Sequence, residues 1–139
     1  MSLISTLKFI IRHPLNRRNK FAAVLRFLKW QINAKFNPFP IVYRFTEKSK
    51  LIVEKGMAGA TGNLYCGLHE FEDMSFLLHF LRPGDLFIDI GANVGSYTIL
   101  ASAHAGAETI SFEPVPSTFS RLVNNISINQ LHNNVKAFN

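Results

Sequence analysis

Asp89, Gly91, Asn93, Gly95 and Glu113 are the residues of this sequence whose types and spacing could do chemistry. The apolar run 86–90 carries Asp89 near its end and enters Gly91-Ala92-Asn93-Val94-Gly95, with Ser96 next and helical sequence beyond. A glycine turn between a strand and a helix lets a ligand approach the backbone, and the helix start offers free N–H groups and a positive dipole end to a carboxylate or phosphate. Glu113 follows Gly91 by 22 residues, at the end of the next apolar run, where an acid can accept hydrogen bonds from ribose hydroxyls. Both carboxylates are thereby expected to face one crevice, suited to a nucleoside-type cofactor bearing hydroxyls and positive charge.

Three ligands compete for that crevice. A nucleoside triphosphate is disfavoured, because the G-x-x-x-x-G-K-[ST] loop is absent and no lysine follows the turn. A dinucleotide such as NAD prefers G-x-G-x-x-G, and here Asn93 would put a side chain against the pyrophosphate. S-adenosylmethionine asks for less: its carboxylate can use the helix N-terminus, its ammonium and sulfonium suit Asp89, and its ribose can use Glu113. Ser96 is a hydrogen-bonding candidate for the cofactor carboxylate, although helix capping explains a serine there equally well.

Around the turn, the patterning predicts a helix over 70–81, a buried strand over 86–90, a helix over 94–104, a strand over 109–112, a helix over 117–128 and the start of a third strand at Val135. Arg82-Pro83-Gly84-Asp85 punctuates the first helix, since proline cannot continue its hydrogen-bond ladder. Strand, helix, strand, helix, strand is the order of an α/β fold with a parallel sheet and right-handed crossovers. Before it, "IVYRFT" and "KLIVEK" read as a β-hairpin, followed by the loop "GMAGATG" at 56–62. The expected organisation is a basic helical segment over 1–40, a hairpin and loop over 41–62, and the α/β portion over 63–139.

Charge divides the chain the same way. Through Lys55, twelve lysines and arginines face only Glu47 and Glu54, whereas the remainder holds three bases and seven acids. Two amphipathic helices are expected in the basic part, one with Leu3, Ile4, Leu7, Ile10 and Ile11 on one face, the other with Phe21, Val24, Leu25, Leu28 and Ile32. Packing of these stripes on the following domain is the preferred reading. Peripheral contact with an anionic membrane surface is the alternative, and nucleic acid, with no recognition module in view, is disfavoured.

With one cysteine, Cys66, no intramolecular disulfide can form, and a reducing, cytoplasmic setting is expected, with the protein peripheral to a membrane if the basic helices touch one. No apolar run reaches the 18 or so residues of a spanning helix. His69, His79 and His104 lack metal-ligand spacing and are read as ordinary histidines, so no metal is expected.

"FIDIGANVGSYTILAS" followed by "ISFEPVPSTFSRLVNNISIN" resembles the FkbM-type family, a group within the class I, Rossmann-like S-adenosylmethionine-dependent methyltransferases, and "LYCGLHEFEDMSFLLHFLRPGD" is similar to the segment leading into the first strand of many members. The resemblance implies S-adenosylmethionine as cofactor, with Asp89, Gly91, Ala92, Asn93 and Gly95 bordering its methionine part and Glu113 on its ribose. It also implies O-methylation of a hydroxyl on a small-molecule, sugar or lipid acceptor, on a seven-stranded sheet. The sequence ends at the third strand, so a truncated or partial methyltransferase is the expectation, no catalytic base is assigned, and a non-catalytic remnant that contacts a membrane or partner is the alternative.

Overall fold

A computed structural model of the chain describes residues 3–37 and 39–139; Met1, Ser2 and Pro38, which the expected segment 1–40 includes, lie outside the described residues. The elements run α1 (Leu3–Arg12), a 3₁₀ turn (Pro14–Asn16), α2 (Lys20–Phe36), β1 (Ile41–Arg44), β2 (Lys50–Val53), α3 (Ala58–Cys66), α4 (Phe71–Phe80), β3 (Leu86–Ile90), α5 (Ser96–Ile99) with a π-helical turn (Leu100–His104), β4 (Glu108–Phe112), α6 (Pro116–Ile128) and β5 (Val135–Phe138). Strands β3, β4 and β5 form a parallel sheet in that order, and β1 and β2 an antiparallel hairpin. The α/β class and the strand–helix alternation are those expected.

The main core packs Met74, Leu77, Ile99, Leu100, Leu122 and Ile126 against the sheet, and Phe45 and Leu51 of the hairpin join it. Asn125 of α6 and Asn129 just after it bind the β2 backbone, receiving the Ile52 and Lys50 N–H groups at 2.8 Å, so the hairpin is tied to the sheet layer through side-chain amides. A second cluster gathers Ile10, Ala23, Phe27, Trp30, Ala60, Tyr65 and Cys66 and reaches Val94 in the turn.

Four local expectations are corrected. Residues 58–62 of the expected loop are helical, because α3 gains more from burying Ala60, Tyr65 and Cys66 than the roughly 1 kcal/mol that each helical glycine loses. The α5 helix starts at Ser96, after a left-handed Gly95, and loosens at its end into a π turn in which Ala105 N–H bonds Leu100 C=O. Strand β3 is buried on one face only: Asp89 points inward, while Leu86, Ile88 and Ile90 are exposed.

The fourth concerns the basic helices. Helix α2 carries two apolar stripes on opposite sides, and the buried one is Ala23, Phe27 and Trp30. Phe21, Leu25, Leu28 and Ile32, which were expected to pack on the domain, are 80%, 40%, 48% and 62% exposed, and in α1 Leu3 and Ile4 also face outward while Ile10 is buried. The choice follows from Phe27 meeting the Tyr65 ring edge-on and from Arg26, beside that stripe, binding Asn16 Oδ1 at 2.7 Å and the Tyr65 carbonyl at 2.9 Å. No helix among the described residues is long and apolar enough to cross a membrane.

Candidate functional site

The turn after β3 is built from alternating left-handed residues: Gly91, Asn93 and Gly95 have φ of 76°, 51° and 88°. Glycine takes these angles without strain, and asparagine is among the few other residues that tolerate them. The Gly91 and Ala92 N–H groups both reach the Phe112 carbonyl at 2.9 Å, which pins the turn to the end of β4. A Cβ at Gly95 would stand 2.5 Å from Leu122 Cδ1, so this glycine also lets α6 close on the turn.

A crevice of about 300 Å³ opens over the turn. Of the residues expected there, Asp89, Gly91, Ala92, Asn93 and Ser96 line it. Gly95 and Glu113 do not. Glu113 lies beneath the turn, where its Oε2 accepts the Asn93 N–H and its Oε1 the Val115 N–H, both at 2.9 Å. The expectation that both carboxylates face one crevice is therefore corrected: the backbone donors of the turn capture Glu113 and make it a brace. Gly95 is likewise a packing residue.

Asp89 sits at the crevice floor and is 8% exposed. Its Oδ2 accepts the Thr98 hydroxyl at 2.6 Å. Burial pushes its pKa up from the usual 3.8, opposed by the Thr98 side-chain and backbone bonds and reinforced by the charge of Glu113. A buried acid of this kind suits a ligand that brings positive charge, which would restore the ionised form. Above it, Gly91 leaves open space where a Cβ would stand, and the Ser96 and Tyr97 N–H groups, in the first turn of α5, have by position no intrahelical acceptor. These features fit the cationic, carboxylate-bearing methionine portion of S-adenosylmethionine.

Three further lining residues escaped the sequence reading. Asn63 of α3 donates to Ser96 Oγ at 3.0 Å and accepts the His69 N–H at 2.8 Å. His69 itself lines the crevice, its ring seated against Gly62 so closely that a Cβ there would be 2.4 Å from Nδ1. Glu70, just before α4, accepts the Tyr97 hydroxyl at 2.8 Å at the crevice wall. The only sequence signal for the first two was the run of small residues before them, which reads as a loop.

No family model matches the chain. Over 55 residues it is 42% identical to the 31-O-demethyl-FK506 methyltransferase FkbM of Streptomyces tacrolimicus, a match covering 37% of this chain and 21% of that protein. Its fold is similar to that of Pyrococcus horikoshii TYW2 in complex with MeSAdo (TM-score 0.60, 20% identity, 74% of this chain and 36% of that one) and of M. jannaschii TYW2 in complex with AdoMet (TM-score 0.56, 17% identity, 71% and 42%). The chain thus spans well under half the length of each of these relatives. The chain is thus similar to an FkbM methyltransferase over those 55 residues, and its fold is of the class I, Rossmann-like kind.

Proposed function

We propose that this chain forms the cofactor-binding part of an S-adenosylmethionine-dependent O-methyltransferase. The observation that carries the reading is the crevice over Gly91–Ser96, with the buried Asp89 at its floor. When bound, the cofactor supplies an electrophilic methyl carbon: an acceptor oxygen forms the new C–O bond as the S–C bond breaks, the bonding electrons stay on sulfur to leave S-adenosylhomocysteine, and the hydroxyl proton passes to a base. Asp89 would offset the cofactor's positive charge, the left-handed turn would keep the backbone bare for its approach, and Glu113 would hold that turn in shape. Positioning is the main contribution such a site can make to a displacement at carbon. The FkbM likeness supports a hydroxyl on a sugar, lipid or other small molecule as acceptor.

Calorimetric titration of the 139-residue chain with S-adenosylhomocysteine tests this. Saturable binding that Asp89→Ala weakens by about tenfold or more is expected, the loss of one interaction with a buried charge. A folded chain that gives no heat would refute the reading.

A second reading concerns α1 and α2. We infer that their outward apolar stripe, with Phe21, Leu25, Leu28, Ile32 and Phe36 exposed and Lys20, Lys29 and Lys35 on the same helix, rests on an anionic membrane surface. Charge complementarity supports this occupant over a second copy of the chain, whose matching stripe would be equally basic. Co-sedimentation with phosphatidylglycerol vesicles, absent with phosphatidylcholine and abolished by Phe21→Glu with Ile32→Glu, is expected; equal recovery of the variant would overturn it.

A further inference from the structure

A second cavity, of about 460 Å³, opens between α1 and the loop into α4, and His69 lines both it and the cofactor crevice. On α1 it is walled by Lys8 and Arg12, one helical turn apart. Like charges at that spacing repel, and neither cation is relieved by an acid: the ion pair among the described residues is Arg121–Glu54, away from this cavity. Glu72, at the wall, is the single carboxylate lining it.

Deeper in, His13 is 4% exposed and held edge-on between Phe9 and Phe71, with ring centroids 5.7 and 6.0 Å away. Neither of its ring nitrogens makes a well-formed hydrogen bond, although the Leu68 and His69 backbone lies close to the ring; the buried Nδ1 of His69 also lacks a partner, but it is packed against Gly62. Burial lowers the His13 pKa, although the nearby Leu68 and His69 backbone favours its protonated form. Buried imidazole nitrogens without partners are uncommon in folded proteins and need a reason. Here the His13 ring borders a cavity that Lys8 and Arg12 also line, an arrangement completed by an oxyanion with several acceptor lone pairs. A phosphate group fits better than a single neutral hydroxyl, since charge-assisted bonds from lysine and arginine to phosphate are the strong ones.

The two cavities share His69 as a lining residue. The His69 N–H is held by Asn63, whose amide in turn donates to Ser96 at the cofactor turn. We propose that the cavity between α1 and α4 holds the phosphate group of the methyl acceptor, with Lys8 and Arg12 supplying charge and His13 a ring N–H donor, so that the acceptor's hydroxyl reaches the crevice past His69. The acceptor is thereby a phosphorylated hydroxyl compound. This inference rests on the methyltransferase reading above and adds the substrate class to it.

The test titrates the 139-residue chain with inorganic phosphate, glucose 6-phosphate and water-soluble dihexanoyl phosphatidic acid, following the imidazole signals of His13 and His69 by ¹H–¹⁵N correlation NMR, with S-adenosylhomocysteine titrated in parallel. Expected are saturable shifts of both histidines, tighter binding of one organic phosphate than of the inorganic ion, and a loss of at least about tenfold in Lys8→Gln with Arg12→Gln. Binding of S-adenosylhomocysteine should be unchanged in that variant. Preference for glucose 6-phosphate supports a sugar-phosphate acceptor, and preference for the phosphatidic acid a lipid one. Shifts that persist in the variant mean diffuse surface association and overturn the proposal. So does the absence of shifts in a chain that still binds S-adenosylhomocysteine. Phosphate binding without S-adenosylhomocysteine binding would instead sink the methyltransferase reading, and with it the assignment of the phosphate to an acceptor.

Discussion

Thr98 donates its hydroxyl hydrogen to Asp89 Oδ2 at 2.6 Å, which leaves Ser111, 2.8 Å from the same hydroxyl oxygen, as the donor to Thr98. All three are buried, so the acid at the crevice floor is oriented by a relay of hydroxyls between α5 and β4. Thr98→Val keeps the side-chain shape and removes the donor. It is expected to lower unfolding free energy by about 1.5–3 kcal/mol, the range for a hydrogen bond to a charged group, while Thr98→Ser retains most of it. Urea denaturation of the three proteins measures the difference, and equal midpoints for wild type and valine variant would show the relay to be incidental.

Asp89 also makes stability depend on pH. Its folded pKa is raised above the usual 3.8, chiefly by burial. A carboxyl that ionises less readily when folded detracts from stability as pH rises past its unfolded value, and the deficit stops growing above the folded value. The stability of wild type relative to Asp89→Asn should therefore fall as pH climbs from below 3.8 and then level off. Parallel pH profiles for the two proteins would contradict the raised pKa.

Glu113 accepts two backbone N–H groups, those of Asn93 and Val115. Glu113→Ala should accelerate hydrogen exchange at both amides by about tenfold or more, because each loses a charge-assisted bond. Weaker binding of S-adenosylhomocysteine should accompany it as the turn loosens. Unaltered exchange at Asn93 with weakened binding would return Glu113 to a direct ligand role.

Gly91 and Gly95 differ in what an added methyl group would meet. Both are left-handed, yet a Cβ at Gly91 enters open space and one at Gly95 strikes Leu122. Gly91→Ala should lose about 1–2 kcal/mol from backbone strain alone, and Gly95→Ala a further 1–3 kcal/mol or so from overpacking. Thermal or chemical denaturation ranks them. A Gly91 variant less stable than the Gly95 variant would contradict the packing. The two should differ oppositely in binding, since only Gly91 lines the crevice.

Much of the fold was legible because its signals are local. The run Leu86–Ile90, the proline and glycine that precede it, and the glycine turn after it are requirements of the backbone itself, and β3, β4, α6 and β5 lie within a residue or so of their expected bounds. The crevice was legible to the same extent, through Asp89, Gly91, Ala92, Asn93 and Ser96. Asn63 and His69 were not, because they reach the site from α3 and the loop that follows it, and proximity across the fold leaves no mark in spacing.

What the sequence by itself determined was the order of elements from α4 onward and the conformation of the turn, since left-handed angles and chain breaks are set by the residues that occupy them. Two choices belonged to the tertiary structure alone. Helix α2 offers two apolar stripes of similar quality, and the contacts of Phe27 and Arg26 with Tyr65 and Asn16 selected which one is buried. Glu113 stands at the end of β4 either way, but whether its carboxylate faces the crevice or the backbone beneath depended on where the folded turn brought the N–H groups of Asn93 and Val115.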